Sequence, residues 1–147
     1  MVKPDDIAFI DALARDMNDH SDLYERYGAA DFVAVFTMQR PDDGAFRARV
    51  CVDGVKCVAV DEIDAEDESM SDFRLEGPLA AWQAMFDDIV AHGGATGLQT
   101  VNSLALMGDR IRLVGSDPMG LDKFSRFNQT LQEFLDGAAR IAARTTS

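Results

Sequence analysis

The chain has 147 residues, a length that fits one domain and buries roughly two thirds of the surface that the unfolded chain exposes. Hydrophobic residues make up 47% and charged residues 27%, as in ordinary globular proteins, and no apolar run approaches the ~20 residues that span a bilayer. The net charge of -12 repels phosphate backbones and anionic head groups, which argues against nucleic acid and stable membrane association. No targeting segment is recognisable, so the cytoplasm is the expected compartment.

Residues 1-28 are expected to form an N-terminal helical segment that packs on the rest of the single globular domain. Asp5 or Asp6 can cap a first helix through its carboxylate. The apolar side chains of this helix recur at spacings of three and four and form one stripe: Ile7, Ile10, Leu13, Ala14 and Met17. A short second helix over residues 21–27 would end at Gly28, since glycine readily adopts the left-handed conformation of a helix end.

Residues 32–38 predict the central strand of a sheet. They are almost continuously apolar and rich in β-branched and aromatic side chains, which is typical of a strand buried on both faces. A turn at residues 40–45 then returns the chain into a second strand over residues 46–52.

The Asp53-Gly54 pair predicts a two-residue hairpin turn, because both residues tolerate the positive φ of a type I′ turn. Such a turn sets Val52 opposite Val55. The residues that would then share the core face are Phe46, Ala48, Val50, Val52, Val55, Cys57 and Ala59. Cys51 would lie on the opposite face from Cys57, so both cysteines are expected to be free thiols.

The acidic run at residues 61–68 holds six carboxylates but lacks the spacing of a calcium loop, and it is expected to be a solvated loop. A fourth strand over residues 71–76 would point Phe73 and Leu75 inward. The Gly77-Pro78 pair marks the switch to a helix. The apolar stripe of that helix comprises Leu79, Trp82, Met85, Phe86, Ile89 and Val90, and it ends at residues 92–94.

The remainder of the chain predicts a short strand pair and a long last helix. Residues 104–107 are expected to form a strand, followed by a turn at Gly108-Asp109 and a strand containing Ile111 and Leu113. Pro118 suits the first position of the last helix, with Asp117 as its cap. The apolar residues along that helix are Leu121, Phe124, Phe127, Leu131, Phe134, Leu135, Ala138 and Ile141. Asn128 falls inside this stripe, where a buried amide either bonds across to the backbone or lines a cavity that holds a polar group of a ligand.

The run Ala105-Leu-Met-Gly-Asp-Arg-Ile-Arg-Leu-Val-Gly-Ser-Asp117 resembles a segment of the sterol carrier protein-2 (SCP-2) family. The order of elements from about residue 32 to residue 135 is also similar to that of SCP-2 domains. The resemblance implies a single α+β domain over residues 29-147, with a mainly antiparallel sheet of about five strands and helices on one face. It also implies that a lipid or other apolar small molecule binds in a cleft between the sheet and the helices.

The residues expected to line that cleft lie on the two helices that the resemblance places over the sheet. They are Trp82, Met85 and Phe86 on the first helix, and Met119, Phe124, Phe127, Asn128 and Leu131 on the last one. Methionine and phenylalanine suit such a role because they adapt to varied apolar shapes.

Catalytic and metal motifs are not recognisable. His20 and His92 each lie at a predicted helix end, where a structural role is favoured, and neither has the spacing of a metal ligand, so no metal and no cofactor are expected. Two alternatives to a carrier remain open. A small enzyme or enzyme accessory would use Asp87, Asp88 or His92 near Trp82, and an interaction module would form a homodimer through an exposed apolar patch.

Overall fold

The computed structural model describes residues 2–42, 44–107, 110–115 and 117–146. Within these residues five strands and five α-helices occur, besides short 3-10 turns at Ala65–Asp67 and Gly97–Gln99. In chain order they are α1 (Ile7–Asp19), α2 (Ser21–Glu25), β1 (Ala30–Gln39), β2 (Ala45–Gly54), β3 (Lys56–Glu62), β4 (Phe73–Pro78), α3 (Leu79–His92), α4 (Val101–Met107), β5 (Arg112–Val114) and α5 (Pro118–Thr146). In the described part of the chain, no helix combines the length and apolarity needed to cross a membrane.

The five strands form one sheet in the order β3-β2-β1-β4-β5. The pairs β1–β2, β2–β3 and β4–β5 are antiparallel, whereas β1 and β4 are parallel. The α+β class and the five-strand sheet are therefore as predicted, but the sheet is mixed. The parallel pair arises because the chain leaves β3 at one edge and crosses to the far side of β1 before β4 begins.

The central strand β1 is buried on both faces, as its composition predicts. Phe32, Phe36 and Met38 point towards the helices, on what we call the helix face of the sheet. Val35 and Thr37 alternate with them and lie on the outer face, yet they too are only 0% and 3% exposed. Something other than a helix must therefore cover the outer face.

The segment of residues 63–72, which we call the strap, is bound to this outer face. Its Glu68 carboxylate contacts the guanidinium groups of Arg47 and Arg74, two outer-face residues. The predicted solvated loop is therefore only partly correct: Asp61 and Glu62 belong to β3, and Glu68 is drawn onto the sheet while most of the strap stays exposed. No cluster of three metal-ligating side chains occurs among the residues described.

The hairpin between β2 and β3 has a different register from the predicted one. Asp53 pairs with Lys56 and Val52 with Cys57, so the loop consists of Gly54, whose φ is 73°, and the residue after it. An irregularity then shifts the pairing so that Val50 faces Val60. The extra residue of this irregularity is Val58, which is 63% exposed, while its neighbour Cys57 stays buried.

The core face of the hairpin is consequently close to the prediction without matching it. Phe46, Ala48, Val50, Val52 and Cys57 are buried as expected, whereas Val60 takes the place predicted for Ala59. Val55 lies in the loop and packs, partly buried, against the core. Cys51 and Cys57 are free thiols. Burial raises the pKa of both and brings that of Cys57 to about 11, so neither thiol is activated.

The prediction of a strand at residues 104–107 is wrong, because this segment is the second half of α4. Val101 and Leu104 are buried three positions apart, which is the spacing of a helix face, while Leu106 is 79% exposed. The predicted turn at Gly108-Asp109 lies outside the described residues. β5 is short, and Leu113 pairs with Leu75 of β4.

The N-terminal helix is fixed to the last helix by an ion pair whose carboxylate is buried. α1 begins at the cap of Asp6, whose carboxylate accepts from the Ala8 N–H at 3.0 Å. Further along, the Asp16 carboxylate is 1% exposed and accepts from Arg140 Nε and Nη2 at 2.9 and 2.7 Å. A bidentate pair of this kind fixes both the position and the rotation of α1 on α5.

Candidate functional site

The helix face of the sheet carries a continuous layer of aromatic side chains. On β1, the ring of Phe36 lies 5.4 Å from Trp82 of α3 and 6.4 Å from Phe134 of α5, measured between ring centroids. Phe32 of the same strand lies 5.7 Å from Phe73 of β4. Strand alternation places these rings on one face, and the two helices α3 and α5 close over them.

The α3 residues predicted to line a cleft lie in the deepest part of this layer. Trp82, Met85 and Phe86 are each 0% exposed. The indole Nε1 of Trp82 donates to the Thr37 carbonyl oxygen at 3.1 Å, which anchors the ring to the backbone of β1. Phe86 packs edge-on against Phe9 of α1 with centroids 5.0 Å apart. This end of the layer is close-packed.

The first part of α5 forms a second, shallower group of rings, which we call the α5 aromatic cluster: Phe32, Phe73, Phe124 and Phe127. Phe124 is 3% exposed and meets Phe73 edge-on at 5.5 Å. Phe127 is half-buried and stacks over Phe32 at 6.2 Å. The cluster therefore runs from the buried sheet surface to solvent, with Leu131 beside it at 1% exposure.

The helix α5 is interrupted at this cluster. Phe127 has φ -113° and ψ 15°, outside the helical range, so two helical pieces meet there. Asn128 does not reach into the interior; its Nδ2 donates to the Ser125 carbonyl oxygen at 2.8 Å. Of the two roles that the sequence left open for this amide, the structure shows the bond to backbone, and the backbone is that of its own helix.

Met119 lies apart from the other predicted residues, because its side chain is 77% exposed. The start of α5 is nevertheless fixed to the sheet. Gly120 is buried against the Asp72 backbone, and Lys123 Nζ lies 3.4 Å from the Asp72 carboxylate. The structure thus brings together Phe124, Phe127 and Leu131, and it separates them from Met119.

Two surface grooves lie elsewhere. One, of about 220 Å³, lies between α1 and β3 and is lined by Asn18 and Cys57 among others. The other, of about 450 Å³, lies beside Arg40 and Leu79. Neither groove is lined by a residue predicted for the cleft.

The residues considered for acid-base catalysis are engaged in local structure at the end of α3. The Asp88 carboxylate accepts from the Thr96 N–H at 2.7 Å and from the Thr96 hydroxyl at 2.8 Å, and these bonds lower the pKa of Asp88. Asp87 accepts from Gln83 at 3.0 Å, and the His92 side chain is 56% exposed. His92 Nδ1 lies 3.0 Å from the Asp88 carboxylate, whose side chain is 14% exposed, so all three residues have partners at this end of α3. Trp82, in contrast, is fully buried.

The sheet side of the layer, namely Phe32, Phe36 and Phe73, was not among the residues predicted to line a cleft. Their inward direction was available from the alternation along the two strands. The prediction concentrated on the helices because the resemblance named them.

Comparison with known proteins gives matches in structure only. No family model matches the sequence, and no curated protein matches it either. A crystal structure of sterol carrier protein 2 superposes with a TM-score of 0.71 at 15% identity, covering 93% of this chain and 98% of that one. The chain has the SCP-2 fold.

A second solved structure agrees with the SCP-2 fold. It is the solution structure of a conserved hypothetical protein from Thermus thermophilus that is named as a candidate sterol carrier protein. It superposes with a TM-score of 0.66 at 19% identity, covering 91% of this chain and 86% of that one. The resemblance drawn from residues 105–117 is thereby confirmed at the level of the fold.

Proposed function

We propose that the protein binds a lipid or another apolar small molecule between the helix face of the sheet and α5, at the α5 aromatic cluster. The observation that carries the proposal is the break in α5 at Phe127. It lies where aromatic rings run from the buried face of the sheet to solvent. A helix that is already interrupted above an apolar layer can move its first part outwards at less cost than an unbroken one.

The SCP-2 fold supports the proposal, since the superposed crystal structure bears the name of a sterol carrier. Binding would be driven by burial of apolar surface at about 25 cal/mol per Å². The proposed lining comprises Phe124, Phe127 and Leu131 from α5, with Trp82, Met85 and Phe86 forming the floor at the α3 end. Met119, which is exposed, and Asn128, whose amide bonds to its own helix, are left out of it.

Trp82 provides the test, because it is the only tryptophan in the chain and its ring contacts Phe36 of the aromatic layer. Titrating the delipidated protein with fatty acids of increasing length should change the Trp82 emission saturably and raise the melting temperature. Each added methylene should contribute ~0.8 kcal/mol until the pocket is full. Phe127→Asp should abolish binding while Asp122→Asn, an exposed change on the same helix, leaves it intact.

If neither fatty acids, sterols nor polycyclic aromatics change the emission or the melting temperature, the carrier proposal fails. A dimerising interaction module is then the better candidate. The observation that favours it is the exposure of large apolar side chains, with Leu106 at 79%, Met119 at 77% and Leu98 at 63%. Sedimentation at several protein concentrations, repeated with Leu106→Asp, separates the two functions.

A further inference from the structure

The outer face of the sheet carries a row of polar side chains that the proposed function does not use. Cross-strand pairing sets Arg47 of β2 beside Thr37 of β1, Thr37 beside Glu76 of β4, and Glu76 beside Arg112 of β5. In the next row Arg74 lies beside Val35. Arg47 and Arg74 therefore lie on the two sides of the central strand, Arg47 at the level of Thr37 and Arg74 at the level of Val35.

Both of these guanidinium groups bind the Glu68 carboxylate of the strap. Arg47 Nε donates to Glu68 Oε1, and Arg74 Nε lies 3.1 Å from Glu68 Oε2. The side chain of Arg47 is 22% exposed, that of Arg74 21% and that of Glu68 13%. One carboxylate thus bridges two partly buried arginines, which is the geometry with which proteins bind a small oxyanion.

Between its two ends, the strap has little else to hold it on the sheet. Ala65, Glu66, Ser69 and Met70 are exposed, the last at 71%. The Ser71 hydroxyl bonds within the strap, to the Glu68 carbonyl oxygen at 2.8 Å. Glu68 is therefore the main attachment of the middle of the strap to the arginines.

On the strand between the two arginines, the Thr37 hydroxyl has no hydrogen-bond partner, although its side chain is buried and the residue is only 3% exposed. A buried hydroxyl without a partner costs stability, and valine would fill the same space without that cost. A hydroxyl that donates to a bound ligand would account for the threonine.

We propose that Arg47, Arg74 and Thr37 form a binding site for a small oxyanion, either a carboxylate or a phosphate, and that Glu68 occupies this site as a tethered substitute. An entering ligand would displace the Glu68 carboxylate and bind both guanidinium groups in its place. It would also accept a hydrogen bond from the Thr37 hydroxyl. The strap would then leave the outer face. The net charge of -12 disfavours polyanions and favours a ligand with one anionic group.

The exchange is electrostatically balanced, because one anionic group replaces another between the same two arginines. Glu76 keeps its own partners in both states. Its Oε1 accepts from Arg74 Nε at 2.9 Å, and its Oε2 lies 3.6 Å from Arg112 Nη2. The site lies on the face of the sheet opposite the α5 aromatic cluster, so it is independent of the proposed carrier function.

The test uses Glu68→Gln, which keeps the size of the side chain and removes the competing charge. Calorimetric titration at low salt with inorganic phosphate, and separately with acetate, should show saturable one-to-one binding at least about tenfold tighter than to the wild type. The stronger of the two titrations identifies the anion class. Glu66→Gln, an equal charge change at an exposed position of the strap, should bind no more tightly than the wild type.

Thr37→Val gives an independent measurement that does not depend on Glu68→Gln folding well. In the otherwise unchanged protein it should keep or raise the melting temperature, since it removes an unpartnered hydroxyl. In the Glu68→Gln background it should weaken anion binding by about tenfold, and Arg74→Gln should abolish it. Equal binding by Glu68→Gln and Glu66→Gln, or unchanged affinity in Thr37→Val, would overturn the proposal.

Discussion

Replacing Phe36 by alanine should lower the free energy of unfolding by about 3–5 kcal/mol, the cost of truncating a close-packed core phenylalanine. Phe36 is 0% exposed and contacts Trp82 and Phe134 from the middle of the central strand. Removing its ring leaves a cavity between the sheet and both α3 and α5, which neither helix can fill without losing other contacts. Urea denaturation followed by circular dichroism measures the change.

Phe124→Ala is the matched comparison for Phe36→Ala. Phe124 belongs to the first part of α5, ahead of the break at Phe127, where the packing can relax. We expect a clearly smaller loss of stability than for Phe36→Ala, together with weaker ligand binding. An equal loss of stability with unchanged binding would place Phe124 in the permanent core and remove it from the proposed site.

Gly120→Ala should destabilise the protein by about 3 kcal/mol, although alanine is the better helix former by ~1 kcal/mol. A Cβ at this position would lie 2.1 Å from the Asp72 carbonyl oxygen and 2.9 Å from its carbon. Both atoms belong to the backbone just before β4, so no side-chain rotation relieves the clash. The start of α5 would have to move away from the sheet.

Ser125→Ala is the control for Gly120→Ala, because Ser125 is exposed on the same helical piece. Its effect should stay within about 0.5 kcal/mol, since its backbone carbonyl still accepts from Asn128. Thermal unfolding of both variants measures the difference. A neutral Gly120→Ala would mean that the start of α5 is not seated on Asp72 in solution.

The sequence predicts most of the elements because their apolar periodicity is long. The stripe from Leu79 to Ile89 defines α3, and the apolar run at residues 32–38 defines the centre of β1. The four residues at 104–107 are too few to distinguish a strand from a helix by periodicity. In the structure they form a helix, and Val101 and Leu104, three positions apart, are buried on its inner side.

The pairing of the strands in the sheet was harder to predict than their positions in the sequence. After the β2–β3 hairpin, β4 could join the sheet beside β3 or beside β1, and the length of the strap permits either. Because β4 joins beside β1, Arg74 lies beside Val35 and Glu76 beside Thr37, an arrangement that no local pattern reveals. The hairpin register differs from the prediction for a similar reason, because the Cys57 backbone binds the Asn18 side chain of α1, a contact that lies outside the hairpin.

The predicted site residues divide according to helix geometry. Phe124, Phe127 and Leu131 are spaced by three and four and fall on one face of α5. Met119 precedes Phe124 by five positions, which turns it about 140° away from that face, and it is exposed. Composition made Met119 look suitable, whereas its position on the helix already argued against it.

The most direct test of the proposed binding site is nuclear magnetic resonance of the protein loaded with a ¹³C-labelled fatty acid. The acyl chain should show intermolecular contacts to the ring protons of Phe124 and Phe127 and to the methyl groups of Leu131. The amide signals around the break at Phe127 should shift most on loading. Contacts confined to other surfaces, such as the groove between α1 and β3, would contradict binding between the sheet and α5.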